Sequence, residues 1–197
     1  MNNNAYIIRL AFNNMIIGLT GTIAAGKEII ADYFKNKDFA YFSLSHVVRE
    51  EATKLNIKHE RKLLQDVGNM LRENYGNNAL VLKLLDKIES RKNVIIDSIR
   101  NTAEIEELKK LDDFYLISID APVDVRFKRS QSRNRESDPK TYEQFLIDES
   151  RDREEDLENG QQVEKCIKMA DFFIYNNSSL EELNNKIEEI HKKINFK

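Results

Sequence analysis

Apolar residues gather into five short β-type runs, at Met15 to Leu19, Phe39 to Ser43, Val94 to Asp97, Phe114 to Ile119 and Phe172 to Tyr175. Between them the apolar positions fall at helical spacing. Val81, Leu82, Leu84, Leu85 and Ile88 form one stripe, Ile105, Leu108 and Leu111 a second, and Ile187, Ile190 and Ile194 a last one that Ser178 or Ser179 would cap. Short buried strands alternating with helices predict an α/β domain, with a parallel sheet covered on both faces. Ligands of such sheets bind beyond the carboxyl ends of the strands.

Two intervals are too long for a simple crossover. Leu44 to Lys92 holds about three helices where a βαβ unit needs one, which marks a helical insertion. Val123 to Ala170 carries the densest charge, with Arg126, Lys128, Arg129, Arg133 and Arg135 followed by an acidic run from Glu149 to Glu158. The acidic part reads as a solvated helix face. The arginines read differently, because several share one helix and the loop after it.

Composition narrows the class. The 197 residues, 41% of them hydrophobic, suit one domain with a real core, and two prolines and six glycines leave no visible linker. A net charge of −3 argues against a nucleic-acid partner, which needs a strongly basic face. Cys166 is the only cysteine, which excludes a disulfide framework and a cysteine metal site and points to a reducing, cytoplasmic compartment. Its place on an apolar helix stripe makes it a core residue. His59 and His191, set among charged residues, read as solvated. No segment is long and apolar enough to span a membrane. Residues 1–14, rich in asparagine around Tyr6 to Leu10, lack the features of a signal peptide and read as an extension before a single domain at 15–197.

The candidate chemistry starts at Gly21-Thr22-Ile23-Ala24-Ala25-Gly26-Lys27, which follows a strand and opens a helix. In that context G-x-x-x-x-G-K is a phosphate-binding loop. Its glycines let the backbone turn its amides toward phosphate oxygens, the helix adds its positive end, and Lys27 adds a mobile charge. The residue after the lysine departs from the pattern, because Glu28 stands where a Ser or Thr hydroxyl would meet Mg²⁺. Two like charges about 4 Å apart cost about 4 kcal/mol at an effective dielectric of 20, so Glu28 beside a triphosphate needs an intervening cation. Mg²⁺ accepts carboxylate oxygen, which makes Glu28 a candidate metal ligand.

Further candidates lie at the same sheet edge. Val94-Ile95-Ile96-Asp97 ends a strand with a carboxylate suited to Mg²⁺ or its water shell. Arg100, three residues later, offers a planar fork to a phosphate. In Ser45-His46-Val47-Val48-Arg49, Ser45 reads as a helix N-cap, His46 as a surface first-turn residue and Arg49 as a cation one turn in.

Taken in order, these motifs resemble the adenylate-kinase-like P-loop nucleotide kinases, and the likeness runs from Met15 to Ile194. Leu19 to Lys27, Val47 to Glu51, Gly68 to Glu73, Ile96 to Asn101, Asp138 to Thr141 and Ala170 to Ile174 are most similar to adenylate-kinase-related P-loop proteins and to kinase-like domains fused to deoxycytidylate deaminases. The resemblance implies a P-loop NTPase fold with strand order 2-3-1-4-5, an acceptor-binding insertion at 44–92 and a lid at about 130–160. It implies ATP on Gly21 to Glu28, with Asn176 near the donor base, and Mg²⁺ at Asp97 and Glu28. Ser45, Arg49 and Arg100 would bind the acceptor, with Arg72 and Arg61 in the insertion as weaker candidates. Lys27, Asp97, Arg129 and Arg133, with Arg135 beside them, would serve transfer. The expected activity is ATP-dependent phosphorylation of a nucleoside or deoxynucleoside monophosphate by a monomer or weak homodimer. Two alternatives stand beside it: a nucleotide-binding sensor without catalysis, favoured by Glu28, and a dephospho-coenzyme A kinase, disfavoured by Ser45-His46 where that family has an acidic pair.

Overall fold

A computed structural model describes residues 14–88, 92–133, 138–153 and 158–196 of the chain. Its central strand, β1 (Ile16–Gly21), is buried at every position because it pairs in parallel with β3 (Val94–Asp97) on one side and β4 (Phe114–Asp120) on the other. β2 (Ala40–Ser43) extends the sheet beyond β3, and β5 (Phe172–Tyr175) extends it beyond β4. The order is β2-β3-β1-β4-β5, all parallel, as the family resemblance implied.

Strand alternation sorts the core into two layers. Ile17, Leu19, Ile95, Ile117 and Ile119 face α1 (Lys27–Lys35) and the C-terminal helix α9 (Leu180–Asn195). Ile16, Ile96 and Leu116 face the other way, against the helices that fill the long interval after β2. Those are α2 (Leu44–Lys54), α3 (Arg61–Tyr75) and α4 (Ala79–Leu85), joined by α5 (Thr102–Leu108) and α8 (Val163–Lys168), which brings Cys166 into the core. Burial pushes the Cys166 thiol up, which keeps it a neutral packing group. Two further helices, α6 (Val123–Arg133) and α7 (Tyr142–Arg153), follow β4.

Three local expectations need correction. Ser43, not Ser45, is the N-cap residue of α2, because its backbone stays extended and the helix begins at Leu44; Ser45 then sits in the first turn, hydrogen-bonded to Ser43 at 2.9 Å. His191 is not fully solvated: Tyr33 Oη lies 3.1 Å from its Nδ1 and the Phe34 ring packs edge-on against it, so burial lowers its basicity. The third concerns the acidic run. Glu149 and Asp152, like Asp148 just before the run, are buried, while Glu158 is exposed and Glu154, Glu155 and Asp156 lie outside the described residues. The last helix does start as expected, with Ser179 accepting from the Glu182 amide at 3.2 Å. Residues 1–13 and Arg135 lie outside the described residues, and among those described no helix is long and apolar enough to cross a membrane.

Candidate functional site

The loop after β1 is shaped by positions that tolerate little but glycine. A Cβ on Gly21, whose φ is 134°, would lie 2.0 Å from the carbonyl oxygen of Ile119 on the neighbouring strand. Ala24 also has positive φ, at 56°, and Gly26, at 116°, forms the start of α1 with no side chain capping it. An uncapped helix start reached through left-handed residues leaves amides to meet an anion. Asn176, at the end of β5, braces this turn from behind. Its Nδ2 donates to the Ala25 carbonyl at 2.8 Å and would meet a Cβ on Gly26 at 2.7 Å. Asn176 is buried and outside the cleft lining, where it holds the loop.

Lys27 folds over the loop. Its ammonium donates to the carbonyls of Gly21 and Thr22, both at 2.7 Å, and the residue is part-buried in the lining of a cleft. Enclosure is the main reason its pKa is lowered to about 8; Asp97 opposes the shift and Arg100 adds to it. Asp97 ends β3 nearby and is held at both oxygens: Tyr41 Oη donates to Oδ2 at 2.8 Å and the Ser98 amide to Oδ1 at 2.6 Å. Burial, then the neighbouring Asp97 charge, raise the Tyr41 hydroxyl, so it remains a donor. Each Asp97 oxygen keeps lone pairs for a cation. Glu28, half exposed in the first turn of α1, has Arg133 Nη1 at 3.3 Å.

A cleft of about 510 Å³ joins these groups. It is lined by the loop from Ile23 to Ile29, by Tyr41 of β2, by Ser45, His46 and Arg49 of α2, by Arg61 of α3, by Asp97, Ser98 and Arg100 at the end of β3, and by Arg129 and Arg133 of α6. Thus Lys27, Glu28, Ser45, Arg49, Asp97, Arg100, Arg129 and Arg133 come together. Arg72 does not reach the cleft. It lies in an adjoining recess, with its Nε and Nη2 both donating to buried Glu104, at 3.1 and 2.8 Å.

Several of the arginines are already committed. Arg133 forks onto Asp138 with two 2.7 Å bonds, which raise its pKa against the cost of burial. Arg129 reaches the Ala25 carbonyl at 3.3 Å and the Asn176 carbonyl at 3.4 Å, so it supports the loop from the side of α6. Arg100 donates to Asp152 at 2.6 Å and to Gln161 at 2.9 Å, and Arg61 pairs with the same Asp152 oxygen. Gln65 supplies a third donor, to Asp152 Oδ1 at 2.7 Å. Burial works against ionising Asp152, yet the arginines and Gln65 hold its carboxyl below the usual carboxylate range.

Asp152, Gln65, Tyr41 and Arg126 were missed from sequence. Arg126 is buried under the loop, where Nε donates to the Ala121 carbonyl at 2.7 Å and Nη2 pairs with Glu149. A signal existed: Asp148 and Asp152, like Glu149 and Arg153, stand four apart on one helix and therefore share a face. What the sequence lacked was any mark that this face meets arginines rather than water.

Over this geometry, residues 17–168 match the AAA domain family. A UPF0200 protein of Sulfurisphaera tokodaii is 35% identical over 179 residues, spanning 91% of this chain and 97% of that one. The chain belongs to the AAA domain and UPF0200 families. A UPF0200 protein of Pyrococcus abyssi is 34% identical over 187 residues with the same coverage. Among solved structures, TT1252 from Thermus thermophilus superposes with a TM-score of 0.59 at 17% identity, covering 91% of this chain and 97% of that one. Shikimate kinase from Acinetobacter baumannii in complex with shikimate gives 0.56 at 15% identity, covering 98% and 99%. At such identities the structural likeness establishes a P-loop kinase fold.

Proposed function

We propose that the chain is a phosphotransferase that moves the γ-phosphoryl group of ATP to a small phosphorylated acceptor, a nucleoside or deoxynucleoside monophosphate. The observation that carries this reading is the cleft that Lys27 and the loop line together with Asp97, Arg49, Arg61 and Arg100. Beyond the loop and Lys27, the same lining carries Arg49, Arg61 and Arg100, more cations than one triphosphate cradle needs, which suits a second phosphorylated ligand. The order of the motifs supports placing it with the adenylate-kinase-like branch of the fold.

In this account the loop amides and Lys27 bind the donor phosphates, and Arg49 and Arg100 orient the acceptor phosphate. Asp97, with Glu28, would hold Mg²⁺, which neutralises charge on the phosphates when bound. The acceptor phosphate is already ionised, so one of its oxygens attacks the γ-phosphorus as the bond to the β,γ-bridging oxygen breaks, and no base must remove a proton. Such a reaction asks the protein for positioning and charge compensation. Arg129 and Arg133 supply that compensation from α6. The segment at about 130–160 acts as the lid that excludes water, and 44–92 as the acceptor-binding insertion.

A second reading, a nucleotide sensor that does not turn over, is favoured by Glu28 in place of the hydroxyl and by Asp152 on two of the acceptor arginines. A coupled assay with ATP, Mg²⁺ or Mn²⁺ and a panel of nucleoside monophosphates separates the two. Acceptor-dependent ADP formation is expected; binding of ATP with no product from any acceptor at high protein concentration supports the sensor instead.

A further inference from the structure

Asp97 lines the cleft at 8% exposure, and among the described residues no lysine or arginine forms an ion pair with it. Lys27 spends its ammonium on the loop carbonyls, and Arg61 and Arg100 turn to Asp152. Burying a carboxylate without a cation is costly, and buried charges are as a rule paired or bound to metal. This one therefore suits a cation that arrives with the ligand.

What the chain supplies to Asp97 is orientation. Tyr41 Oη donates to Oδ2 at 2.8 Å and the Ser98 amide to Oδ1 at 2.6 Å, so each oxygen is held by a different strand end. The second bond comes with strain, because Ser98 has a φ of 66°, a left-handed backbone that is costly for a residue with a side chain. Such a conformation persists where its surroundings enforce it, and here the Ser43 hydroxyl donates to Ser98 Oγ at 3.2 Å. Tyr41 reaches Asp97 from the neighbouring strand: Ser43 pairs with Asp97, and Tyr41 stands two residues earlier on the same face of β2. Its half-buried ring is held in turn, with the Lys35 ammonium of α1 5.2 Å from its centroid and the His46 ring of α2 edge-on at 6.4 Å.

We infer that Tyr41 is a positioning residue for the cation of this site, its hydroxyl fixing the Asp97 carboxylate in the orientation that the metal of a bound nucleotide meets. The inference rests on the reading above only in taking Asp97 toward Mg²⁺; a metal nucleotide that binds, with or without transfer, is enough for it. Mg²⁺ demands near-octahedral geometry from few protein ligands, whereas Ca²⁺ takes more oxygens in a flexible shell. Holding Asp97 in one orientation therefore favours the smaller ion. If the Tyr41 bond were only packing of β2 on β3, its loss would change stability and leave metal affinity alone.

The test is an electron paramagnetic resonance titration of Mn²⁺ into the full chain with a non-hydrolysable ATP analogue, with Mg²⁺ and Ca²⁺ as competitors. Tyr41→Phe keeps the ring against Lys35 and His46 and removes only the hydroxyl. It is expected to weaken Mn²⁺ binding about tenfold and to narrow the preference for Mg²⁺ over Ca²⁺, while binding of the metal-free analogue, which also reports folding, stays unchanged. In the Asp97→Asn background the same substitution is expected to change nothing further, because it acts through that carboxylate. Mn²⁺ affinity and ion preference as in the unsubstituted chain, an equal loss of analogue binding with and without metal, or a loss that persists in Asp97→Asn would overturn the inference. Tyr41-dependent metal binding in a chain that transfers nothing leaves it standing and removes the kinase reading; transfer with Mn²⁺ affinity untouched by Tyr41→Phe does the reverse.

Discussion

Lys27 carries the most readable charge in the molecule. Its pKa of about 8, against 10.5 for an unperturbed lysine, means that between those values the folded chain holds fewer protons than the unfolded one. By linkage its contribution to folded stability rises with pH through that window, while the anion site loses a charge. ATP affinity is therefore expected to fall as pH rises through 8. At about pH 8.5, binding should take up a proton, because bound phosphate favours the ammonium form; calorimetry in buffers of different ionisation enthalpy reads that uptake, and Lys27→Met should abolish it. Glu28 gives a sign test of a different kind. If it serves a cation, Glu28→Ala tightens ATP binding without Mg²⁺, by removing repulsion, and weakens it with Mg²⁺. Equal changes under both conditions would count against a metal role. At Gly21, a methyl group would meet the Ile119 carbonyl in a backbone that cannot give way. Gly21→Ala is expected to cost about 2 to 4 kcal/mol in urea unfolding.

Among the elements, α6 and α7 are held to the rest by buried charge. Arg126 and Glu149 pair with side chains 2% and 9% exposed, and Arg153 holds the same Glu149 oxygen at 2.9 Å, so Arg126→Met leaves Glu149 one cation and is expected to cost about 1 to 3 kcal/mol. The double variant with Glu149→Leu should recover most of that loss, a result chemical denaturation would show. Asp152 ties α7 to α3 and to the end of β3 through Gln65, Arg61 and Arg100. Asp152→Asn removes the anion that those arginines now share. Inorganic phosphate should then bind about tenfold more tightly, and the amides of α7 should exchange hydrogen faster; unchanged phosphate affinity would place the anion site elsewhere. The five strands were legible because each is a short apolar run bounded by polar turns, with β1 and β3 buried along their whole length and the edge strands β2 and β5 only in part. The burial of α7 was not, since a helix with alternating acids and arginines carries the same pattern whether it meets water or a cationic cleft.

For the whole molecule, the sheet order is the one that the family resemblance implied, and the position of the loop followed from its place after a strand, because a parallel α/β sheet gathers its strand ends along one edge. That edge is why Lys27, Asp97 and Arg100, distant in sequence, share one cleft. Arg72 and Asn176 show where this logic stops: both lie beside the edge, yet one pairs with Glu104 and the other with the loop backbone, and such partners depend on packing across helices. The central claim is that two phosphorylated ligands meet in the cleft and exchange a phosphoryl group. It is tested most directly by following γ-labelled ATP in single turnover with the full chain, Mg²⁺ and a panel of nucleoside monophosphates. The account predicts label in a nucleoside diphosphate, formed faster than phosphate is released to water and lost in Lys27→Met. Label that stays in bound ATP or passes only to water, whatever the acceptor, would contradict it.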